Sequence, residues 1–243
     1  MNILITGASR GIGFYTAVAL ASNPDNHIFA VSRDGNGLSE LNDTFKLKKL
    51  PGKLTIFIGD IGTEDFLNSL RLKIEKEELS LEVLINNAGY LKNAPFEELT
   101  ISEWRNVYEA NLFGPVNLIK QLLPLLKKGK LSGSSGFKSH IVNIGSIGGV
   151  QGSSKFKGLS AYSSSKGALS VLTECLAEEF KEDLIAVNCL ALGSVQTEMF
   201  SEAFPGFTAA KQPEEMGTYI GKFAMEGSMF FNGKILEVSV STP

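Results

Sequence analysis

Tyr162 and Lys166, in the run Ala161-Tyr162-Ser163-Ser164-Ser165-Lys166, are side chains whose spacing suits proton transfer. On a helix, residues four apart share a face, with Cβ atoms about 5–6 Å apart. A phenol titrates near pH 10 and is a poor acid or base at neutrality. A lysine ammonium beside it favours phenolate and is expected to move the titration toward working pH. Ser146, in Asn143-Ile144-Gly145-Ser146, stands at the end of an apolar run ahead of that pair. Its hydroxyl is of the right type to hydrogen-bond a substrate oxygen as charge develops on it.

A third feature lies at the N-terminus. The run Thr6-Gly7-Ala8-Ser9-Arg10-Gly11-Ile12-Gly13 follows an apolar strand and opens a helix. Glycines permit a tight turn and let the backbone approach a pyrophosphate, while the helix start offers free N–H groups and a positive dipole end. Gly7, Ser9, Arg10, Gly11, Ile12 and Gly13 are therefore expected to bind a dinucleotide. The spacing is Gly-x-x-x-Gly-x-Gly rather than Gly-x-Gly-x-x-Gly. Proton donor, serine and phosphate loop together favour an oxidoreductase.

A site that prefers NAD carries an acid about 20 residues beyond the last glycine. Here that place falls on Arg33, in Val31-Ser32-Arg33-Asp34. Arg10, Ser32 and Arg33 suit the 2′-phosphate of NADP, because guanidinium grips phosphate with several donors. Asp34 is the alternative: a turn shifted by one residue offers a carboxylate and NAD instead. NADP is the favoured cofactor.

The elements that must position these residues alternate. Strand-like runs cover Asn2–Thr6, His27–Ser32, Leu54–Gly59, Val83–Asn86, Ser139–Ile144, Ile185–Leu190 and Ile235–Val240. Helical periods cover Ile12–Ala21, Leu38–Leu47, Glu64–Glu77, Ile101–Leu126, Ala161–Phe180 and Pro213–Ala224. Alternation predicts right-handed βαβ crossovers and a parallel sheet with helices on both faces, an α/β class. Thr100 and Glu103 are spaced as a capping box for the helix from Ile101. No linker divides the 243 residues, so one domain over 1–243 is expected. Gly129–Lys138 is expected to be a surface loop. Gly193–Gln212 holds Met199, Phe200, Phe204 and Phe207, an apolar loop of a length that implies a cover.

Charge and composition exclude other classes. The net charge is -3 and no basic stripe is present, which argues against nucleic acid. Lys127, Lys128 and Lys130 fit a solvated helix end. No apolar run approaches the roughly 20 residues that span a bilayer, and no targeting signal opens the chain, so a cytoplasmic location is expected. Cys175 and Cys189 are expected as small buried hydrophobes, and His27 and His140 have no metal-ligand spacing.

With these residues in hand, the chain resembles the short-chain dehydrogenase/reductases of the roughly 250-residue type, over nearly its whole length. Beside the loop and the Ser–Tyr–Lys set, Asn86-Asn87-Ala88-Gly89 matches the family's fourth-strand motif. The resemblance implies a Rossmann-like doubly wound sheet of seven strands in the order 3-2-1-4-5-6-7. It implies that Asp60, with Ile61, receives the adenine amino group and that Asn87, Ala88 and Gly89 line the adenosine side. It implies that Lys166 holds the nicotinamide ribose, and that Asn111 kinks its helix and holds a water behind the lysine. Gly193, Val195 and Thr197 fall where the family bonds the carboxamide and phosphates, with Leu192 in place of the usual proline.

The implied function is NADP(H)-dependent hydride transfer between nicotinamide and a carbonyl or secondary alcohol, with catalytic Ser146, Tyr162, Lys166 and Asn111. An NAD-dependent dehydrogenase and a 3-oxoacyl thioester reductase are alternatives, the latter because Lys155 and Lys157 border the site. A dinucleotide-binding sensor or scaffold and a lyase or epimerase are alternatives of other classes. Family members pair through their long helices as homodimers or homotetramers. Here Leu169, Leu172, Leu176 and Phe180, widened by Ala168, Val171 and Cys175, form an apolar arc suited to that. The tail Val240-Ser241-Thr242-Pro243 departs from the family's frequent Asp-Gly-Gly ending. The lid phenylalanines suit an apolar or aromatic carbonyl, or else pack only on the protein.

Overall fold

A computed structural model describes residues 1–77, 80–131 and 136–240. The tail residues 241–243 and the loop residues 132–135 lie outside the described part.

Seven strands form one parallel sheet in the order 3-2-1-4-5-6-7. They are β1 Asn2–Thr6, β2 His27–Ser32, β3 Lys53–Ile58, β4 Val83–Asn86, β5 Ser139–Ser146, β6 Ile185–Leu192 and β7 Ile235–Val238. The central strands are apolar almost throughout because helices cover both faces: every residue of β6 is buried. At the β3 edge only Phe57 is buried. The long helices are α1 Gly11–Leu20, α2 Gly35–Leu47, α3 Glu64–Lys76, α4 Ile101–Tyr108, α5 Gly114–Leu126, α6 Ser160–Glu179 and, after the short α7 Glu198–Ala203, α8 Pro213–Glu226. One apolar core lies on the α1/α2/α8 face and another on the α3/α5/α6 face.

The helix expected over Ile101–Leu126 is interrupted. Glu109–Phe113 forms a π-turn that divides α4 from α5. The Asn111 side chain explains the widening: its Oδ1 accepts from the Tyr90 N–H (2.8 Å), and its Nδ2 donates to the Tyr90 carbonyl and Ser165 Oγ (each 2.9 Å). The start of α4 has the expected capping box, with Glu103 N–H donating to Thr100 Oγ1 at 3.2 Å and Thr100 N–H to Glu103 Oε2 at 2.9 Å.

Strands β1 and β4 are sheet neighbours although three strands apart in chain order. The chain therefore winds outward in both directions from this point, and a crevice opens beyond the carboxyl ends of the strands. A buried polar ladder fixes α6 above it. Asn86 Nδ2 donates to Asn143 Oδ1 (2.8 Å), and Asn143 Nδ2 donates to Thr173 Oγ1 on α6 (2.9 Å). These buried amide donors set register, since leaving one unpaired costs about 1–3 kcal/mol; Asn86 Oδ1, by contrast, has no partner among the described residues.

Cys189 is buried, whereas Cys175 is exposed. The expectation of two buried thiols is corrected for Cys175: the apolar arc of α6 is wider than the core it faces, and Val171 on the same arc is 59% exposed. No described helix is long and apolar enough to cross a membrane.

Candidate active site

A cleft of about 1070 Å³ lies over the carboxyl ends of the strands. Its floor begins at the β1–α1 loop. Gly7 has φ +66 and Gly11 φ +55, both in the left-handed region that glycine tolerates. A Cβ on Gly7 would meet Ala88 Cα at 2.9 Å, so the loop lies directly on the β4 motif. Asn87 straps it there, its Nδ2 donating to the carbonyls of Thr6 (2.9 Å) and Gly7 (3.1 Å). Thr6 Oγ1 accepts from the N–H groups of Asn87 and Ala88 (3.1 and 3.0 Å).

The start of α1 has no side-chain cap, unlike α2, α4 and α7, which Asp34, Thr100 and Thr197 cap. Its first-turn N–H groups and dipole end are left for an anion. This cradle fits the pyrophosphate of a dinucleotide.

Gly13 is placed differently from expectation. It does not line the cleft; a Cβ there would lie 2.3 Å from the Gly7 carbonyl oxygen and 2.4 Å from Asn87 Nδ2. Gly13 is the contact on which the loop packs. The remaining loop residues Ser9, Arg10, Gly11 and Ile12 line the cleft.

At the end of β2 the two candidate cofactor selectors have different partners. Asp34 Oδ1 accepts from the N–H groups of Asn36 (3.1 Å) and Gly37 (3.2 Å), so this carboxylate caps α2. Arg33 is exposed and lies 3.5 Å from Asp60 Oδ2. Ser32 Oγ donates to Ser9 Oγ at 2.9 Å. Arg10 pairs with Glu198 at the start of α7, joining the phosphate loop to the lid. Both arginines thus have carboxylate partners here. Asp60, with Ile61 beside it in the cleft wall, also accepts from the Gly62 N–H at 2.9 Å.

Ser146, Tyr162 and Lys166 come together in the middle of the cleft. The Ser146 hydroxyl faces the Tyr162 phenol and favours its ionisation, and Ser146 Oγ accepts from the Gly148 N–H at 3.2 Å. Lys166 is 3% exposed; its Nζ donates to the Ile144 carbonyl at 2.7 Å and lies 5.8 Å from the centre of the Tyr162 ring. Burial pushes the phenol up to about 12, opposed by the Ser146 hydroxyl. Burial also pushes Lys166 down to about 8, and its Nζ spends one of its three N–H donors on the Ile144 carbonyl.

Asn111 is fully buried and outside the cleft lining. Its side-chain hydrogen bonds named above are internal and hold the π-turn, the helix distortion expected of it, beside Lys166. A methyl on Gly89 would lie 3.1 Å from Asn111 Oδ1 and 3.5 Å from Lys166 Nζ, so a glycine keeps open the space between them.

Gly193, Val195 and Thr197 line the far wall. Gly193 is close-packed, since a Cβ there would meet Ser239 Oγ at 2.5 Å. Thr197 Oγ1 caps α7 by accepting from the Phe200 N–H at 3.2 Å. The lid that follows is partly helical, which its apolar, proline- and glycine-bearing sequence hid. Met199, Phe200, Phe204 and Phe207 all face the cleft, as does Phe156 from the β5–α6 loop. Lys157 reaches the same space, but Lys155 turns back to donate to the carbonyls of Val150 (2.6 Å) and Ser153 (3.1 Å). Phe156 and Glu198 were missed from sequence. An aromatic in a Gly/Ser-rich loop and an acid directly after an N-cap threonine were the available signals. Among the described residues no cluster of three or more His, Cys, Asp or Glu could hold a metal.

A family model described as short chain dehydrogenase matches residues 1–206. The chain belongs to the short-chain dehydrogenase family. It is an oxidoreductase with a nicotinamide dinucleotide cofactor, acting on small molecules. Among curated relatives, it is 28% identical over 247 residues to the rhamnolipids biosynthesis 3-oxoacyl-[acyl-carrier-protein] reductase of Pseudomonas aeruginosa, covering 97% of this chain and 93% of that one. It is 32% identical over 203 residues to the (S)-benzoin-forming benzil reductase of Saccharomyces cerevisiae, covering 81% of this chain and 72% of that protein. Among solved structures, the Pseudomonas aeruginosa RhlG/NADP active-site complex superposes with a TM-score of 0.85 at 26% identity, covering 98% of this chain and 94% of that one.

Proposed function

We propose that this chain is a single catalytic domain that reduces small-molecule carbonyls and prefers NADP(H), with Tyr162 as the proton donor. The observation that carries the reading is the partly buried Tyr162 phenol beside Ser146 and flanked by Lys166 in a cleft with a pyrophosphate cradle. Bound nicotinamide supplies the hydride.

At neutral pH a phenol pushed up to about 12 keeps its proton and can act as an acid. Ser146 donates a second hydrogen bond to the carbonyl oxygen as negative charge gathers there. Lys166 stabilises the phenolate left after transfer. With its own titration near 8, it can release and recover a proton near working pH. The space between Gly89, Asn111 and Lys166 supports a route by which that proton is replaced.

NADP preference is supported by Arg33 at the β2 end and by the engagement of Asp34 as a helix cap. A cytoplasmic setting is part of the same reading, since both cysteines are free thiols. Self-association is proposed through α5 and α6, whose outer arc leaves Val171 exposed.

A second reading, reduction of a 3-oxoacyl thioester, is favoured by Lys157 in the cleft wall and by the Pseudomonas relative.

The deciding experiment titrates purified protein with NADPH and NADH by nicotinamide fluorescence. It then follows NADPH consumption with a carbonyl panel. Tighter NADPH binding and stoichiometric oxidation, lost in Tyr162→Phe but with nucleotide binding retained, are expected. Binding without turnover of any carbonyl would overturn the reductase reading in favour of a sensor. Turnover without net NADPH consumption would favour a lyase or epimerase.

A further inference from the structure

We propose that the substrate is an aryl ketone, a carbonyl borne directly on a flat aromatic ring that sits among Phe156, Phe200, Phe204 and Phe207. This rests on the reductase reading above and specifies its substrate class.

Three of the four rings already form one assembly. Phe204 meets Phe156 edge-on at 6.3 Å between centroids and 68°, and meets Phe200 at 5.2 Å and 39°. Phe207 follows on the same turn, its N–H donating to the Phe204 carbonyl at 3.2 Å. Phe156 and Phe207 are 42% and 71% exposed, so two large apolar faces in the cleft wall are open to a ligand.

The assembly is braced. Gly158 takes φ +86, and a Cβ there would lie 2.0 Å from Asn93 Oδ1. Ala94 N–H donates to the Gly158 carbonyl at 3.1 Å, and Asn93 Nδ2 donates to the Ala203 carbonyl at 2.6 Å. Asn93 thereby ties the loop carrying Phe156 to the lid carrying Phe204. Leu91, Ile147 and Leu159 continue the apolar wall toward Tyr162.

A rigid ring matches this wall better than a flexible chain does. Aromatic faces and edges pair with defined geometry, while an alkyl chain loses rotamer freedom on binding. A polyhydroxylated ketose fits poorly, because its hydroxyls would lie against phenylalanine without partners. In the reaction the carbonyl carbon gains a hydride from NADPH and its oxygen gains the Tyr162 proton. The products are a secondary alcohol and NADP⁺, and the phenol regains its proton from solvent.

The test compares phenyl methyl ketone with cyclohexyl methyl ketone, a ketohexose and a linear 3-oxoacyl thioester, using NADPH and the whole protein. A phenyl-over-cyclohexyl ratio in kcat/KM of about tenfold is expected, from one to two aromatic pairings. Phe204→Leu and, at the more exposed position, Phe207→Leu should each shrink that ratio. Equal rates, an unchanged ratio in both variants, or preference for the ketose or thioester would overturn the proposal. If no carbonyl turns over, the reductase reading fails by itself. Calorimetric binding of the two methyl ketones in the presence of NADP⁺ then decides the pocket. A tenfold phenyl preference that Phe204→Leu reduces supports it, and equal affinity refutes it.

Discussion

The Lys166 ammonium lies beside the Tyr162 ring, 5.8 Å from its centre, yet gives its hydrogen bond to the Ile144 carbonyl. Burial pushes the phenol up to about 12, opposed by Ser146, so it is the neutral acid at working pH while the Lys166 charge stays beside it. The sign separates the two directions of the reaction. Carbonyl reduction needs the neutral phenol and should be insensitive to phenol titration between pH 6 and 9. Alcohol oxidation needs phenolate and should rise with pH over the same range. Replacing Lys166 with Gln removes the nearby cation and should move the oxidation limb to higher pH. A purely structural lysine would depress both directions equally, so paired pH profiles of wild type and Lys166→Gln distinguish the roles.

Much of this arrangement was legible in the sequence because its signals are local. Apolar runs, helical periods and turn glycines specify a doubly wound sheet, and a Tyr four residues before a Lys must share a helix face. Relations across the cleft were not legible. Gly13 resembled a ligand-facing glycine because motif spacing does not say which glycine touches phosphate and which packs beneath it. The pairs Arg10–Glu198 and Arg33–Asp60 join residues distant in sequence. The phenol's shift depends on how deeply the folded chain buries it, which side-chain spacing does not encode. The lid helix was hidden by Pro205 and Gly206, which follow it closely.

The packing role of Gly13 makes a clear expectation for Gly13→Ala. The added methyl would lie 2.3 Å from the Gly7 carbonyl and 2.4 Å from Asn87 Nδ2, neither of which can move without lifting the loop. Overpacking of this kind costs about 1–3 kcal/mol, or roughly 2–10 °C in Tm for a chain this size. Dinucleotide binding should weaken in parallel. Gly221→Ala is the control, because a methyl there makes only ordinary contact with Leu20 Cγ at 3.4 Å. Thermal unfolding and NADPH titration of the two variants check the difference.

Arg33 is expected to exchange Asp60 for the 2′-phosphate. Its pair with Asp60 is exposed, and breaking such a pair costs little. Charge-assisted hydrogen bonds to phosphate are worth about 1.5–3 kcal/mol, so Arg33→Ala should raise the NADPH Kd about 10–100-fold. NADH affinity should hardly change. Equal weakening of both nucleotides would place the effect in the adenosine or pyrophosphate region. Superior NADH binding by wild type would return cofactor choice to Asp34.

His140 sets an acid limit on stability away from the cleft. It is fully buried between β5 and α8, where Nδ1 meets the Ala224 carbonyl at 3.0 Å and Nε2 meets Asn188 Nδ2 at 3.0 Å. A carbonyl demands a donor and an amide nitrogen demands an acceptor, so the imidazole is held neutral with its proton on Nδ1. Burial pushes its titration down to about 4. The sign follows: above pH 6.5 the ring is neutral in both folded and unfolded chains and contributes no slope. Between pH 6.5 and 4 the unfolded chain takes up a proton that the folded chain refuses, so stability falls as pH falls. The loss is about 3 kcal/mol across that window. His27, also pushed down to about 4, adds to the same slope. Urea unfolding at pH 7 and pH 4.5 should therefore show a smaller pH difference for His140→Gln than for wild type. Equal pH differences in the two proteins would refute a buried neutral His140.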